Sequence, residues 1–299
     1  MEITCRKYKD RSDYKRICEF LKETYLSYGT RFYDNITLFE FQCALSIGQQ
    51  DGLKEVDEVL NETFLWFDGD KLIGKLTEDS FCIRGEYRQI FNDIVEMREK
   101  LCLTAEDDIE WEIFEGDKDF EDVLTNRGYH KTEEYWVIRD IDCSKIGNVA
   151  KLPDGFSVKF IQDVEDYERV YKAYELCYGI LFNGNMLNNF YKTSTYRKEL
   201  DVVIVGPDDE VVALCSGRYD ETNKMASIEA VSCYKEYRNK GISKAMLLYI
   251  LNEAKKLGAE KVTVLTSMPE RHIAPNRLYE SVGFNIVGKS YVWKKGKWL

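Results

Sequence analysis

The chain has 299 residues, 44% hydrophobic, 13% aromatic and 32% charged, which excludes disordered and fibrous classes and gives room for two cored domains. The formal net charge of −11 divides unevenly, residues 1–150 holding 20 Lys+Arg against 34 Asp+Glu and residues 151–299 holding 22 against 19; with no basic run, nucleic-acid binding is not expected. Nine scattered cysteines, none spaced C-x-x-C, predict reduced thiols in a cytoplasm rather than a disulfide framework. The two histidines, His130 and His272, give no basis for a metal site. The start MEITCRKYKD lacks a signal-peptide core and no stretch approaches 18 uninterrupted apolar residues, so a soluble protein without membrane insertion is expected.

Taken in chain order, the elements repeat. Residues 3–25 read as an alternating strand, a polar break with Asp and Tyr, and a helix, and 156–178 read the same way. Mid-half, 63–76 and 201–215 each give two short strands around a tight turn. Near the end of each half, a helical run closes on Gly-aromatic and enters a strand, at 123–140 and at 277–294. Three matched landmarks in one order predict a duplicated domain. Small and polar residues with Gly and Pro gather at 142–155, which places the linker there. The predicted division is 1–147, a linker at 148–155, and 156–299.

The halves differ between the second hairpin strand and the next long helix. The C-terminal half has a strand at 224–234, the loop YKEYRNKGIS at 234–243 and an amphipathic helix at 242–259 with Gly258 as its stop. The N-terminal half passes from Lys71 to Glu86 with the strand and loop missing or rebuilt, then a helix at 86–101. A glycine-containing loop opening a helix points several backbone N–H groups outward at the positive end of the helix dipole, which makes a phosphate cradle. Arg238, Lys240 and Lys244 add positive charge around it.

Arg238-Asn-Lys-Gly241-Ile-Ser243 resembles the pyrophosphate loop of the GNAT superfamily of acyl-CoA N-acetyltransferases, Gln/Arg-x-x-Gly-x-Gly/Ala. The following strand 261–267 and the run Leu278-Tyr279-Glu280-Ser-Val-Gly283-Phe284 extend the resemblance over about 156–296. It implies an α+β, three-layer fold of two tandem GNAT-like domains, each a mixed, mostly antiparallel sheet flanked by helices. It also implies acetyl-CoA as acyl donor without a metal. Arg238, Asn239, Lys240, Gly241, Ile242, Ser243 and Lys244 would form the pyrophosphate loop, and Val231, Ser232 and Cys233 would pair with the pantetheine arm. Tyr279 would protonate the leaving thiolate and Glu229, the only acid in 224–233, would be the base. An N–H near Ser232 or Cys233 would meet the oxyanion.

Strict strand alternation puts Glu229 on one face with Val231 and Cys233. Ser243 stands where the family has Gly or Ala, and His272 where many relatives have Asn. Cys215 and Cys233 read as packing rather than as an acyl-cysteine route. In the plan the resemblance implies, the region of Tyr174, Tyr178, Phe182, Phe190, Tyr191 and Tyr196, with loop 183–189, would lie over the acceptor site.

The N-terminal half, with TEDSFCIRGE at 77–86, lacks a cradle and reads as a degenerate GNAT-like domain, there to wall the acceptor pocket, to stabilise its partner or to bind something itself. The function expected is acetyl transfer to a primary amine of a small molecule by direct attack, in a monomer or homodimer. The alternatives are a non-catalytic acyl-CoA sensor and a protein N-acetyltransferase.

Overall fold

The computed structural model describes residues 3–49, 55–78, 80–102 and 109–295. The N-terminal half runs β1 (Ile3–Lys7), α1 (Arg11–Tyr28), α2 (Ile36–Gln49), α3 (Val56–Val59), β2 (Phe64–Asp68), β3 (Lys71–Leu76), β4 (Phe81–Ile83), α4 (Phe91–Cys102), β5 (Glu110–Phe114), α5 (Lys118–Asn126) and β6 (His130–Asp142). The C-terminal half runs β7 (Ser157–Phe160), α6 (Tyr167–Tyr178), α7 (Gly184–Phe190), β8 (Asp201–Val205), β9 (Val211–Asp220), β10 (Met225–Cys233), α8 (Ile242–Lys256), β11 (Lys261–Ser267), α9 (Ile273–Ser281) and β12 (Asn285–Lys294).

The repeat holds at the level of local chemistry. The first long helix of each half is capped by an aspartate, Asp10 accepting from Ser12 N at 2.8 Å and Asp166 from Arg169 N at 3.2 Å. The last helix of each half stops at a left-handed glycine, Gly128 and Gly283, with φ of 85° and 105°. After each glycine, the N–H of Tyr129 or Phe284 returns to the helix, to Leu124 O and Tyr279 O. The strand ahead of the N-terminal long helix is present, as the three-residue β4. The loop after it is rebuilt as a 3-10 turn over Gly85–Ile90, and α4 begins only at Phe91.

The strands form two sheets that do not follow the halves. β1-β2-β3-β4 make one, and β5-β12-β6-β11-β10-β9-β8-β7 make the other. The last strand of each half is exchanged. β6 pairs antiparallel with β11 from Lys261↔Asp142 to Ser267↔Trp136, while β12 lies between β6 and β5. Each closing strand thus completes the other half's sheet and hides an edge. One face of the large sheet packs against α8 and α9, with Val262 and Val264 of β11 in one cluster with Met246, Ile250 and Leu251 of α8. The other packs against α6, α7 and Phe41 and Ala44 of α2.

Helix α2 therefore crosses from the N-terminal half onto the C-terminal one. Phe41 stacks on Phe190 at 4.5 Å. The carboxylate of Glu40 accepts from Thr195 N and Oγ1 at 2.9 and 2.8 Å. Asn183 and Asn189 donate to Gly48 O and Ile47 O at the end of α2.

Candidate active site

The site forms where β10 and β11 part. They pair in parallel from Met225↔Lys261 to Ile228↔Val264 and no further, although both strands continue. On its other side, β10 stays paired with β9 to Cys233↔Ala213. Residues 229–233 thus turn one backbone edge into an open cleft. The N–H of Tyr234 returns to Val212 O at 3.0 Å. Alternation therefore points the N–H and C=O of Cys233 into the cleft rather than at β9, and the C=O accepts from Arg238 Nε at 3.0 Å. By the same alternation Ser232 turns its backbone toward β9.

The register of β10 against β9 shifts between Ile228 and Ala230. Glu229 is the extra residue of this bulge, and the bulge overturns the expectation from strict alternation. Ala230 packs with Leu214 and Val203 under α6 and α7, whereas Val231 and Cys233 pack on the α8 side. Glu229 shares a face with Ser227, whose hydroxyl donates to its carboxylate, not with Val231 and Cys233. A bulge re-aims a side chain in this way because one unpaired residue reverses all later positions. Tyr178 Oη donates to Glu229 O at 2.9 Å. Burial raises the Glu229 carboxyl above its ordinary range, opposed by the Ser227 hydrogen bond and the charge of Arg218.

Beyond the cleft, Asn239 and Gly241 both adopt left-handed backbone, φ 62° and 79°. Asn and Gly are the residues that do so most readily. Nothing lies within 4 Å of a Cβ added at Gly241, so its backbone angle rather than its space calls for glycine. Among the described residues, none of the N–H groups from Asn239 to Lys244 donates to a protein acceptor. Successive outward N–H groups at the start of the 15-residue α8 make an anion-binding concavity. The loop is braced from below. Tyr237 donates to Glu210, Arg169 pairs with Glu210 at 3.1 Å, and Tyr234 Oη donates to Arg169 O at 2.9 Å. Lys240 lies 5.0 Å over the Tyr237 ring.

Tyr279 of α9 is 6% exposed. Burial, with Cys215, Cys177 and Glu229 nearby, raises its phenol far above the ordinary value, so it keeps its proton at neutral pH. His272 stands exposed at the start of α9, where its backbone carbonyl, not its ring, takes Asn276 Nδ2 at 2.8 Å. Burial also raises the thiols of Cys215 and Cys233, which disfavours the thiolate a covalent route needs.

Two groups escaped the sequence reading. Arg139 on β6, 1% exposed, reaches from the N-terminal half to Asn276 Oδ1 at 3.0 Å and Glu280 at 2.9 Å, and Thr266 donates to the same Asn276 oxygen. This buried net fixes the helix that carries Tyr279 one turn later. The only hint was that Asn276 lies three residues before Tyr279, on the same helical face. Arg218 on β9 is fully buried, the cross-strand partner of Ser227, with its guanidinium 5.1 Å from the Phe41 ring and 4.8 Å from that of Phe190. Its Nη1 donates to Ser216 Oγ and Gly217 O. Nothing in the sequence distinguished it from a surface arginine.

The parted strands and the loop of unpartnered N–H groups can be set beside proteins of known fold. Residues 167–284 match the model of the acetyltransferase (GNAT) family. No curated protein matches the chain. Among solved structures, a GCN5-related N-acetyltransferase from Sphaerobacter thermophilus is 16% identical, over 98% of this chain and 95% of its own, with a TM-score of 0.63. A tandem GNAT protein from the clavulanic acid biosynthesis pathway is 12% identical, over 100% and 99%, at 0.60. A GNAT acetyltransferase from Colwellia psychrerythraea is 11% identical, over 98% and 100%, at 0.62. At these identities the likeness speaks for the fold, and it covers both halves. Among the described residues, no group of His, Cys, Asp and Glu stands where it could hold a metal ion, and no helix is long and apolar enough to cross a membrane.

Proposed function

We propose that the C-terminal half transfers an acetyl group from acetyl-CoA to a primary amine of a small molecule by direct attack. The observation that carries this reading is the pairing of one open cleft, at 229–233, with one cradle of unpartnered N–H groups, at 239–244, on the two sides of a single turn. The cradle suits a pyrophosphate, and the outward edges of Val231 and Cys233 suit the amide groups of a pantetheine arm running as an added strand. When bound, acetyl-CoA supplies the activated thioester carbonyl.

Glu229 accepts the proton that the attacking amine must lose. Its raised pKa makes it a stronger base than a surface carboxylate, and Ser227 holds it in place. The N–H of Cys233 points into the cleft, where a developing oxyanion needs a donor. Tyr279, protonated at neutral pH, offers its hydroxyl to the leaving sulfur. Helix α2 packs on Thr195 and Phe190 through Glu40 and Phe41, which supports a small-molecule acceptor over an open peptide groove. Calorimetry with acetyl-CoA tests the reading. Micromolar binding to the intact chain, abolished in Gly241→Asp, is expected, with thiol release when a suitable amine is added. Equal binding by the variant overturns it, and binding without thiol release against a broad amine panel favours a sensor.

A further inference from the structure

A cavity of about 450 Å³ lies between the halves, and no step of the transfer uses it. In the N-terminal half, β4 and β5 bracket the long helix α4 as β10 and β11 bracket α8. They are unpaired, β4 ending the small sheet and β5 the large one. The cavity occupies this gap, lined by Phe81 of β4 and Trp111 and Glu112 of β5. It is the N-terminal counterpart of the donor cleft. Its turn carries Glu86 and a 3-10 helix in place of a cradle, so a polyphosphate finds no seat beside it.

The cavity nevertheless reaches the reacting half. Leu265, the first residue of β11 beyond the last pair with β10, lines it. So does Gln42 of α2, the neighbour of the Phe41 that covers Arg218. The charges at its walls are mostly committed. Lys294 pairs with Glu110 at 2.6 Å, and Arg98 donates to Glu78 O and lies 4.8 Å over Trp111. Glu112 is different. It is exposed into the cavity, and among the described residues its carboxylate takes neither hydrogen bond nor ion pair. The surrounding walls, with Glu110 beside it, push its pKa up to about 7; an arriving cation reverses that penalty. The rings of Phe32, Tyr33 and Phe114 complete a lining suited to an alkylammonium chain.

We propose that this degenerate cleft is the distal subsite for the acceptor: it takes the second ammonium group of an extended di- or polyamine whose first amine is presented at Glu229. The inference rests on the transfer reading above for the first amine only. β5 is the fourth strand from β10 in the large sheet, roughly 19 Å between strand axes. The register also sets Glu112, opposite Val292, four residues further along the strands than Gly288, which lies level with Ile138 and Leu265; this adds roughly 13 Å along the strands, so only a fully extended polyamine spans the two carboxylates. A short monoamine cannot touch both carboxylates.

The test uses the full chain with spermine and n-butylamine as probes, followed by calorimetry and tryptophan fluorescence, since Trp111 lines the cavity. Spermine is expected to bind, with affinity falling about tenfold or more in Glu112→Gln and partly restored in Glu112→Asp. The preference for spermine over n-butylamine, in binding and in thiol release, shrinks by the same factor. Spermine binding that Glu112→Gln does not change, or no binding to the parent protein, overturns the subsite. Gly241→Asp separates the two readings, because it removes acetyl-CoA binding while spermine binding stays sensitive to Glu112. If no amine yields thiol release yet spermine binding depends on Glu112, the transfer reading falls and the subsite stands.

Discussion

A fragment of residues 156–299 contains the cradle, Glu229 and Tyr279 but lacks β6. In the intact chain, β6 makes seven register pairs with β11 and buries Val137, Ile138, Arg139 and Ile141. Seven ladder hydrogen bonds at about 1 kcal/mol net each contribute roughly 7 kcal/mol. Three buried aliphatic side chains at about 2 kcal/mol each add roughly 6 kcal/mol. The sum, on the order of 13 kcal/mol, is as large as the whole stability of an ordinary domain, about 5–15 kcal/mol. The fragment also loses the Arg139 bonds to Asn276 and Glu280 that hold α9. It is therefore expected to be aggregated or molten, without a cooperative thermal transition and without acetyl-CoA binding. Circular dichroism melts, size-exclusion chromatography and calorimetry check this against the intact chain. A monomeric fragment melting within a few degrees of the full protein and binding acetyl-CoA would falsify the reciprocal strand exchange.

Other outcomes follow from single groups. Glu229→Gln should lower kcat/KM about 100-fold or more and abolish the acid limb of the pH–rate profile, which in the parent lies above the usual carboxylate range because burial raises the Glu229 pKa; an unchanged profile removes it as the base. Tyr279→Phe should reduce kcat while the Kd for acetyl-CoA holds, and an equal loss in both makes the tyrosine a packing residue. Lys75 and Asp34 form an ion pair with both side chains fully buried, and Lys75→Met leaves the carboxylate uncompensated. A loss of about 3–5 kcal/mol in urea unfolding is expected, and a change under about 1 kcal/mol refutes the burial argument. The cavity walls and the neighbouring Glu110 push the Glu112 carboxyl of the folded chain up from its ordinary 4.5 to about 7. The folded state therefore binds more protons across that window, and stability should fall as pH rises through it. Glu112→Gln should flatten that slope in melts taken across the same window.

Whatever depends on neighbours along the chain could be read from the residues. The loop 238–243 before a helix and the Gly-aromatic helix ends at 128 and 283 are local conformations, set by which residues tolerate a left-handed backbone. They were legible, and with them the duplication and the side of the molecule that carries the cradle. Features that depend on pairing between distant strands emerged only in the folded chain. A one-residue bulge reversed the faces of Val231 and Cys233 because alternation carries no memory of an unpaired residue. The exchange of β6 and β12 was invisible because a strand's sequence shows that it will be buried, not which edge it will cover. Arg139, Asn276, Arg218 and Glu112 gain their surroundings only through that exchange and through α2 lying across both halves. For Arg139, the partner that sets its role stands 141 residues away along the chain.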